Sequence, residues 1–450
     1  MKQKSIYIKT FGCQMNVHDT EQLAELLKGE GYRLVRDARK ADLIIVNTCS
    51  IREKAEQKAI SEAGKLKSLK DANPGLLMGI GGCMAQREGA QLLRKVKGLD
   101  FVFGTQAIAR VPEILRKIGE GSGPIIDVRL NGEAGSIGIF AVPPRKKLSA
   151  FVSIMQGCDN YCAFCVVPYL RGREVSRDME SVLDEVRRLA DHGIREVTLL
   201  GQNVNSYGKS FGSDRGFPSL LREIGRIGGI ERVRFTTSHP KDFTEDIMLC
   251  FAEIENLCEH IHLPVQSGSD AVLERMNRRY TSGDYLRKVE KLRSICPGIA
   301  LTTDIIVGFP GETEDDFEKT LRLMRQIRFD GAFSFKYSGR PGTAAELLDG
   351  KISDPVKARR LKILQALQEE HTLERNRELE GSIQEILVES TSRNTDQDLT
   401  GRTRTNRIVN FNAGPGLIGK TVSVRITQAY LHSLRGEALQ EREDYKCCCK

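Results

Sequence analysis

The chain has 450 residues, 40 % of them hydrophobic and 28 % charged, with a net charge of +8 and 12 cysteines. That length predicts two or three domains with ample core. Charges interrupt the apolar residues at the N-terminus and no apolar run is long enough to span a bilayer. A signal peptide and membrane spans are therefore excluded, and a cytoplasmic protein is predicted. In such a compartment this cysteine count points to metal or redox chemistry rather than a disulfide framework. The positive charge suits a polyanionic partner without demanding one.

Over residues 1–120, short apolar strands (Ser5–Thr10, Leu43–Thr48, Leu76–Gly81, Phe101–Phe103) alternate with helical stretches (Thr20–Gly31, Glu53–Lys70, Gln86–Lys97). The alternation predicts a parallel α/β layer. Asp19 with Gln22 reads as a helix-capping pair. Residues 121–147, rich in Gly and Pro, read as a linker. A second α/β series then occupies residues 148–378, with strands at Ala150–Met155, Glu196–Leu200, Arg232–Thr236, His260–Leu263, Leu301–Val307 and Gly331–Lys336. Six βα units predict a partial (β/α)6 TIM-like barrel with its chemistry at the strand C-terminal ends. A charged helix from Pro355 to about Glu380 ends that domain. Residues 379–440 change to β-branched, alternating sequence (Ser382–Ser390, Gly401–Arg404, Arg407–Phe411, Lys420–Ala429) and predict a small all-β barrel. Residues 441–450, with Cys447, Cys448 and Cys449, read as a frayed tail.

Two sets of cysteines carry the chemistry. Cys158, Cys162 and Cys165 follow the first barrel strand with C-x3-C-x2-C spacing. Three thiolates on one loop hold three corners of a [4Fe–4S] cube and leave one iron open; S-adenosylmethionine is the usual chelator for this spacing. Structural zinc would normally take four ligands. Cys13, Cys49 and Cys83 each follow a strand of the first domain, and the C-terminal ends of neighbouring parallel strands converge on one crevice. They read either as a second cluster site with an open iron or as three separate small core residues. Cys250, Cys258 and Cys296 have no partners at ligand spacing and read as buried thiols.

Gly201, Gln202 and Asn203 end the second barrel strand, and Ser238, Gln266 and Ser267 end later ones. They are candidates to contact S-adenosylmethionine, with turn or capping roles as the alternative. Between Gly401 and Gly436 lie Arg402, Arg404, Arg407, Lys420, Arg425 and Arg435 with no Asp or Glu. That strip is either a footprint for RNA phosphate or an ordinary solvated face. Arg171 and Arg173, just beyond the cysteine loop, are further candidates to grip RNA or S-adenosylmethionine.

The runs Asn47-Thr-Cys-Ser-Ile-Arg-Glu-Lys-Ala55, Gly82-Cys-Met-Ala85, Ser153-Ile-Met-Gln-Gly-Cys158 and Val166-Val-Pro-Tyr-Leu-Arg-Gly-Arg173 are specific in combination. With Leu200-Gly-Gln-Asn203, His262-Leu-Pro-Val-Gln-Ser-Gly-Ser269 and Asp304-Ile-Ile-Val-Gly-Phe-Pro-Gly-Glu-Thr313, they resemble the methylthiotransferase family of radical S-adenosylmethionine enzymes over nearly the whole chain. The C-terminal segment resembles a TRAM domain, a β-barrel associated with RNA binding. The resemblance implies two [4Fe–4S] clusters. One, on Cys158, Cys162 and Cys165, would cleave S-adenosylmethionine to a 5′-deoxyadenosyl radical. The other, on Cys13, Cys49 and Cys83, would hold or donate the transferred sulfur, methylated from a second S-adenosylmethionine. It further implies a tRNA anticodon stem-loop carrying isopentenyladenosine, a reductant such as flavodoxin or ferredoxin, and no membrane. The same chemistry on threonylcarbamoyl-adenosine or on a ribosomal-protein aspartate is the neighbouring alternative. A non-catalytic iron–sulfur RNA-binding sensor is the alternative from another class, though a sensor has no need of vacant coordination sites.

Overall fold

A computed structural model describes residues 3–50, 53–130, 138–142, 147–211, 215–392, 395 and 397–439. The tail cysteines, and Ile51 and Arg52 of the Ser50–Ala55 run, lie outside the described residues. The chain divides into two compact units. One takes the residues up to Cys250 with Met276–Arg278 and Gly339–Leu348, and the other takes the remainder.

The first unit opens with a six-stranded, all-parallel sheet in the order β2-β1-β3-β4-β5-β6. Its strands are β1 (Lys4–Thr10), β2 (Tyr32–Leu34), β3 (Leu43–Thr48), β4 (Leu77–Gly82), β5 (Phe101–Phe103) and β6 (Ile125–Asp127). Around them run α1 (Gln14–Gly29), α2 (Glu53–Ala72), α3 (Cys83–Glu88), α4 (Gln91–Lys95) and α5 (Val111–Gly119). Every residue of β3 is buried, so the strand reads as an apolar run rather than an alternation, as both-face burial requires. The strand order reverses between β1 and β3, and in open α/β sheets that switch point opens a crevice at the strand C-termini.

Three expectations are corrected here. Helix α1 begins at Gln14, six residues earlier than expected. Cys13 is its N-cap and Asn16 its N3 residue, so Asp19 and Gln22 are buried in its body rather than capping it. The expected Gln86–Lys97 helix is two short ones, the first starting at Cys83 itself. The sheet also continues into the expected linker, where β6 pairs with β5. Two and three-residue strands leave too little periodicity to be seen in sequence.

The first unit continues with β7 (Ser149–Ser153), β8 (Met155–Gln156), α6 (Val167–Arg171), β9 (Val175–Ser176), α7 (Met179–Asp191), β10 (Glu196–Leu200), α8 (Phe217–Gly225), β11 (Arg232–Phe235) and α9 (Glu245–Glu253). Here β7, β10 and β11 form a parallel sheet, and β8 pairs with β9 across the cysteine loop.

In the second unit, β12 (His260–His262), α10 (Asp270–Arg275), α11 (Ser282–Ile295), β13 (Ala300–Val307), α12 (Glu314–Ile327) and β14 (Gly331–Lys336) complete the βα series. The three strands make a parallel sheet in chain order. Helix α13 (Asp354–Arg377) leads to β15 (Ile383–Thr391), β16 (Asp398–Thr403), β17 (Ile408–Asn412), β18 (Thr421–Ala429) and β19 (Leu434–Ala438). These five strands close a barrel in the order β15-β16-β17-β19-β18. Ile386, Val388, Leu399, Val409, Phe411, Val424, Ile426 and Leu434 fill it.

Phe411 is the largest fully buried side chain of this barrel. Phe411→Ala is expected to destabilise it by about 3–5 kcal/mol, and Phe411→Leu by much less. Denaturant unfolding of the full chain, followed by proteolysis of residues 379–440, checks both.

Candidate functional site

Cys13, Cys49 and Cys83 stand at the C-terminal ends of β1, β3 and β4, on both sides of the switch point. Side-chain amides knit these ends together. Asn16 Oδ1 accepts from the Cys13 amide at 3.3 Å and lies 3.4 Å from Cys13 Sγ, while its Nδ2 donates to Thr48 O at 3.1 Å. Asn47 Nδ2 donates to Asn16 O at 2.9 Å, and Thr48 Oγ1 to Gly81 O at 2.6 Å. Gly12, at φ 143°, lies so close that a Cβ there would sit 2.7 Å from the Cβ of Cys49. A hydrogen bond with Cys49 draws the Cys13 thiol down to about 6, whereas burial pushes Cys83 up.

Arg171, which the sequence offered as an RNA contact, is in the wrong place for one. Only 4 % of it is exposed. Its Nη2 donates to Asp19 Oδ2 at 2.7 Å, and its guanidinium is the electrostatic neighbour of Cys13 and Cys83, with a hydrogen bond to Cys83. Arg171 ends α6, the helix that starts two residues after Cys165. Thr105 Oγ1 donates to Leu170 O at 2.6 Å and Gln106 Nε2 to Arg171 O at 3.1 Å. Cys83 packs in one cluster with Val166 and Leu170. The N-terminal sheet thus grips the helix that leaves the other cysteine loop.

That loop holds Cys158, Cys162 and Cys165 as mutual neighbours, with burial pushing Cys158 up to about 11 and Cys165 up to about 12. Cross-links fix it. The Ala163 amide donates to Met276 O at 2.9 Å, the Cys165 amide to Cys162 O at 2.9 Å, and Gly157 to Gln202 Oε1 at 2.6 Å. Arg278 Nη1 donates to Cys162 Sγ at 3.3 Å, and His239 Nε2 lies 3.8 Å from the same sulfur. Burial holds that imidazole neutral, its pKa lowered to about 2.

Among the described residues no three His, Cys, Asp or Glu side chains are grouped to hold a metal ion. A cluster asks for something different, since each cysteine takes its own iron and the sulfurs need not meet at a point. An all-thiol donor set on a short loop suits iron–sulfur ligation. Thiols held protonated by burial are deprotonated once they coordinate, so the raised values do not oppose binding. The Cys158, Cys162 and Cys165 loop fits such a group.

The strand-end candidates divide. Gln202 Nε2 and Ser238 Oγ in the first unit, and Gln266 Oε1 in the second, are buried without a hydrogen-bond partner among the described residues. A buried polar atom left so costs about 1–3 kcal/mol, which a polar ligand would offset. Thr237, just before Ser238, has φ 71° and Gln266 has φ 70°. Left-handed backbone is rare for a β-branched residue and is retained where surrounding structure enforces it. Gly201 has no room for a side chain, because a Cβ would lie 2.4 Å from Met155 Cγ. Two candidates are corrected. Asn203 has both amide atoms engaged, donating to Asp242 Oδ2 at 2.7 Å and accepting from the His239 amide at 3.1 Å, so it steadies the His239 loop. Ser267 accepts from the Ser269 amide at 3.2 Å and meets Thr320 Oγ1 at 3.3 Å, a turn role.

Two of the three barrel arginines offered as RNA contacts, Arg404 and Arg407, are also corrected. Their strip looks unopposed only because its carboxylates lie elsewhere in the chain. Arg404 Nε and Nη2 reach Glu259 at 2.8 and 2.6 Å, and Nη2 also donates to the carbonyls of Glu255 and Leu257. Arg407 pairs with Asp330 and donates from Nε to Asn376 Oδ1 at 2.9 Å. Arg402 pairs with Glu389 at 3.3 Å and Arg435 with Asp398. Arg404 and Arg407 therefore fasten the barrel to the preceding domain within the second unit. Arg173 remains at the surface, its side chain 79 % exposed. Asn16, Asp19, His239 and Arg278 were not foreseen. Asn16 meets Cys13 through a local capping box, whereas Asp19, His239 and Arg278 carry no mark in their local spacing because Arg171 and Cys162 come to them only through the fold.

Three family models match the chain. They are the uncharacterized protein family UPF0004 over residues 5–104, the radical SAM superfamily over 152–324 and the TRAM domain over 377–439. The fold is similar to a solved radical S-adenosylmethionine methyltransferase, TsrM from Kitasatospora setae. The TM-score is 0.58 at 16 % identity, covering 77 % of this chain and 74 % of that one. It is also similar to the cobalamin-dependent radical enzyme OxsB, with a TM-score of 0.51 at 13 % identity, covering 82 % of this chain and 56 % of that one. The protein is thus a three-part α/β chain with a radical S-adenosylmethionine domain at its centre, a domain class that carries a [4Fe–4S] cluster and S-adenosylmethionine. Among curated proteins, tRNA-2-methylthio-N(6)-dimethylallyladenosine synthase of Syntrophus aciditrophicus is 56 % identical over 98 % of this chain and 96 % of its own length. The Geobacter sulfurreducens protein of the same name is 50 % identical over 98 % and 99 %. The chain belongs to this synthase family.

Arg407→Ala leaves Asp330 with Arg375 and the Leu301 amide and is expected to cost about 1–3 kcal/mol. Arg402→Ala, at an exposed pair, is expected to stay within about 0.5 kcal/mol. Melting of the two full-length variants side by side measures the difference.

Proposed function

We propose that this protein inserts a methylthio group at carbon 2 of N6-isopentenyladenosine beside the anticodon of tRNA. It would use two [4Fe–4S] clusters and two S-adenosylmethionine molecules, one as methyl donor and one as radical source. The observation that carries this reading is the packing of Cys83 against Val166 and Leu170, immediately beyond Cys165. It supports a second sulfur-bearing site next to the first. Cys158, Cys162 and Cys165 would hold one cluster, and Cys13, Cys49 and Cys83 the other. When bound, these groups supply the one-electron chemistry that an unactivated C–H bond needs and no side-chain base can provide.

The remaining tasks fall to the chain. Within the first unit, Gln202 and Ser238 offer S-adenosylmethionine buried polar atoms that have no hydrogen-bond partner among the described residues. Asn203, His239 and Arg278 keep the Cys162 sulfur in place. Arg171 offsets the negative charge of the Cys13 and Cys83 thiolates in a water-poor setting, and Asp19 keeps its guanidinium aimed. The reductant would be a small electron carrier of the flavodoxin or ferredoxin kind. No helix among the described residues is long and apolar enough to cross a membrane, in keeping with a cytoplasmic tRNA enzyme.

Iron and sulfide analysis with Mössbauer spectra tests the two-cluster count. Two cubes are expected in the wild type and one in a Cys158→Ala/Cys162→Ala/Cys165→Ala variant; a single cube in the wild type would overturn the reading. Nucleoside analysis of reduced, S-adenosylmethionine-supplied reactions on tRNA bearing isopentenyladenosine tests the substrate. A second prediction concerns Arg171. Arg171→Met strands the Asp19 carboxylate and is expected to destabilise the chain by about 3–5 kcal/mol. Adding Asp19→Asn should restore the melting temperature but leave the N-terminal site retaining less iron, read by iron analysis in the triple-alanine background.

A further inference from the structure

Two large aromatic side chains beside the cysteine loop are left uncovered. Tyr161 lies between Cys158 and Cys162 and is 42 % exposed; Tyr169 lies on α6 and is 51 % exposed. Their rings meet edge to face, with centroids 6.2 Å apart and an interplanar angle of 79°. Such a pair forms a corner of two partly exposed rings. The backbone at Tyr161 is held in the left-handed region at φ 47°, an outlier for a bulky residue. Asn277, itself at φ 56°, keeps it there by donating from Nδ2 to Tyr161 O at 2.9 Å. The loop thus spends strain on a conformation that leaves the Tyr161 ring in solvent, where the ring gains nothing for the fold. Strain of this kind collects where a loop serves a ligand.

Beside the rings stands an exposed cation. Arg173 is an electrostatic neighbour of Tyr161 and pairs with Asp159 at 3.2 Å, the two side chains being 79 % and 37 % exposed. Exposed pairs of that sort are worth little, so a phosphate can replace Asp159 without much loss. An aromatic corner with an adjacent guanidinium matches the recognition of unpaired nucleotides, whose bases stack on aromatic faces and whose phosphates take arginine. A peptide partner would more commonly require a bounded apolar pocket, which these two separate ring faces do not form.

We propose that Tyr161 and Tyr169 are a stacking platform for an unpaired nucleotide of the RNA loop that flanks the modified adenosine, with Arg173 taking its phosphate. This rests on the tRNA reading above. It also answers a need of that reading, because a loop base must leave its neighbours' stack before carbon 2 is accessible, and a surface that receives a flanking base lowers the cost.

The test uses the cluster-loaded full chain and a synthetic anticodon stem-loop RNA carrying isopentenyladenosine, with 2-aminopurine at the flanking loop position. Binding is expected to change the 2-aminopurine emission as it moves from base stack to tyrosine face. Tyr161→Ala and Tyr169→Ala should each weaken binding roughly 5- to 100-fold, the range expected for loss of one base–aromatic stack. Tyr161→Phe and Tyr169→Phe should bind within about twofold of wild type, and Arg173→Ala should lower the slope of log affinity against log salt by about one. Tyr169 lies outside the triad, so its variant reports even if Tyr161→Ala disturbs the loop. Wild-type affinity in Tyr169→Ala at unchanged iron content and melting temperature, or no emission change on wild-type binding, overturns the platform. A wild-type protein that fails to bind the stem-loop overturns the tRNA reading instead.

Discussion

The guanidinium of Arg171 has almost no access to water, a carboxylate at 2.7 Å and two thiols for neighbours. A buried charge survives only if its surroundings return what desolvation removes. Asp19 returns part of it, and Cys13 and Cys83 beside the guanidinium favour its charge further. The ion pair also joins α1, which Cys13 caps, to α6, which follows Cys165. Its geometry therefore ties the N-terminal sheet to the helix that follows Cys165, where Cys83 packs against Val166 and Leu170. Removing either partner strands a buried charge and loosens that junction at once.

Topology supplies the other half of the site. Parallel strands deliver their C-terminal ends to one edge, and the reversal of strand order between β1 and β3 opens a crevice there. Cys13 and Cys49 border it, and the Asn16–Asn47–Thr48 network ties its walls together. In the following domain, Gln202 and Ser238 end strands in the same way, with buried polar atoms that the fold leaves unpaired. One rule of α/β architecture thus places both the sulfur donors and the unpartnered polar atoms.

What could be read in the sequence followed the range of the interactions involved. The alternation of strands and helices and the small β-barrel are local patterns, and they appear in the chain as expected. Features that depend on distant partners were misjudged. Asp19 looked like a cap because its spacing to Gln22 fits one, yet a helix that starts at Gln14 carries it into the interior to meet Arg171. Asn203 and Ser267 looked like ligand contacts because they end strands, but Asp242 and Thr320, remote in sequence, occupy them. Strands β2 and β6 have three residues each and owe their existence to their neighbours in the sheet.

The barrel arginines extend the same point to electrostatics. A stretch of chain free of acidic residues suggests a positive surface only if no carboxylate reaches it from elsewhere. Glu259, Asp330, Glu389 and Asp398 all do, and Arg404 and Arg407 are thereby committed to holding the barrel in place. Lys420 and Arg425 of the same strip are exposed. Exposed cations are thus scattered, Arg173 near the cysteine loop among them, rather than concentrated on one β-surface. Diffuse attraction brings RNA to the protein but cannot set its register. Register has to come from contacts that recognise nucleotides individually, and aromatic faces near the reacting center are the groups suited to that.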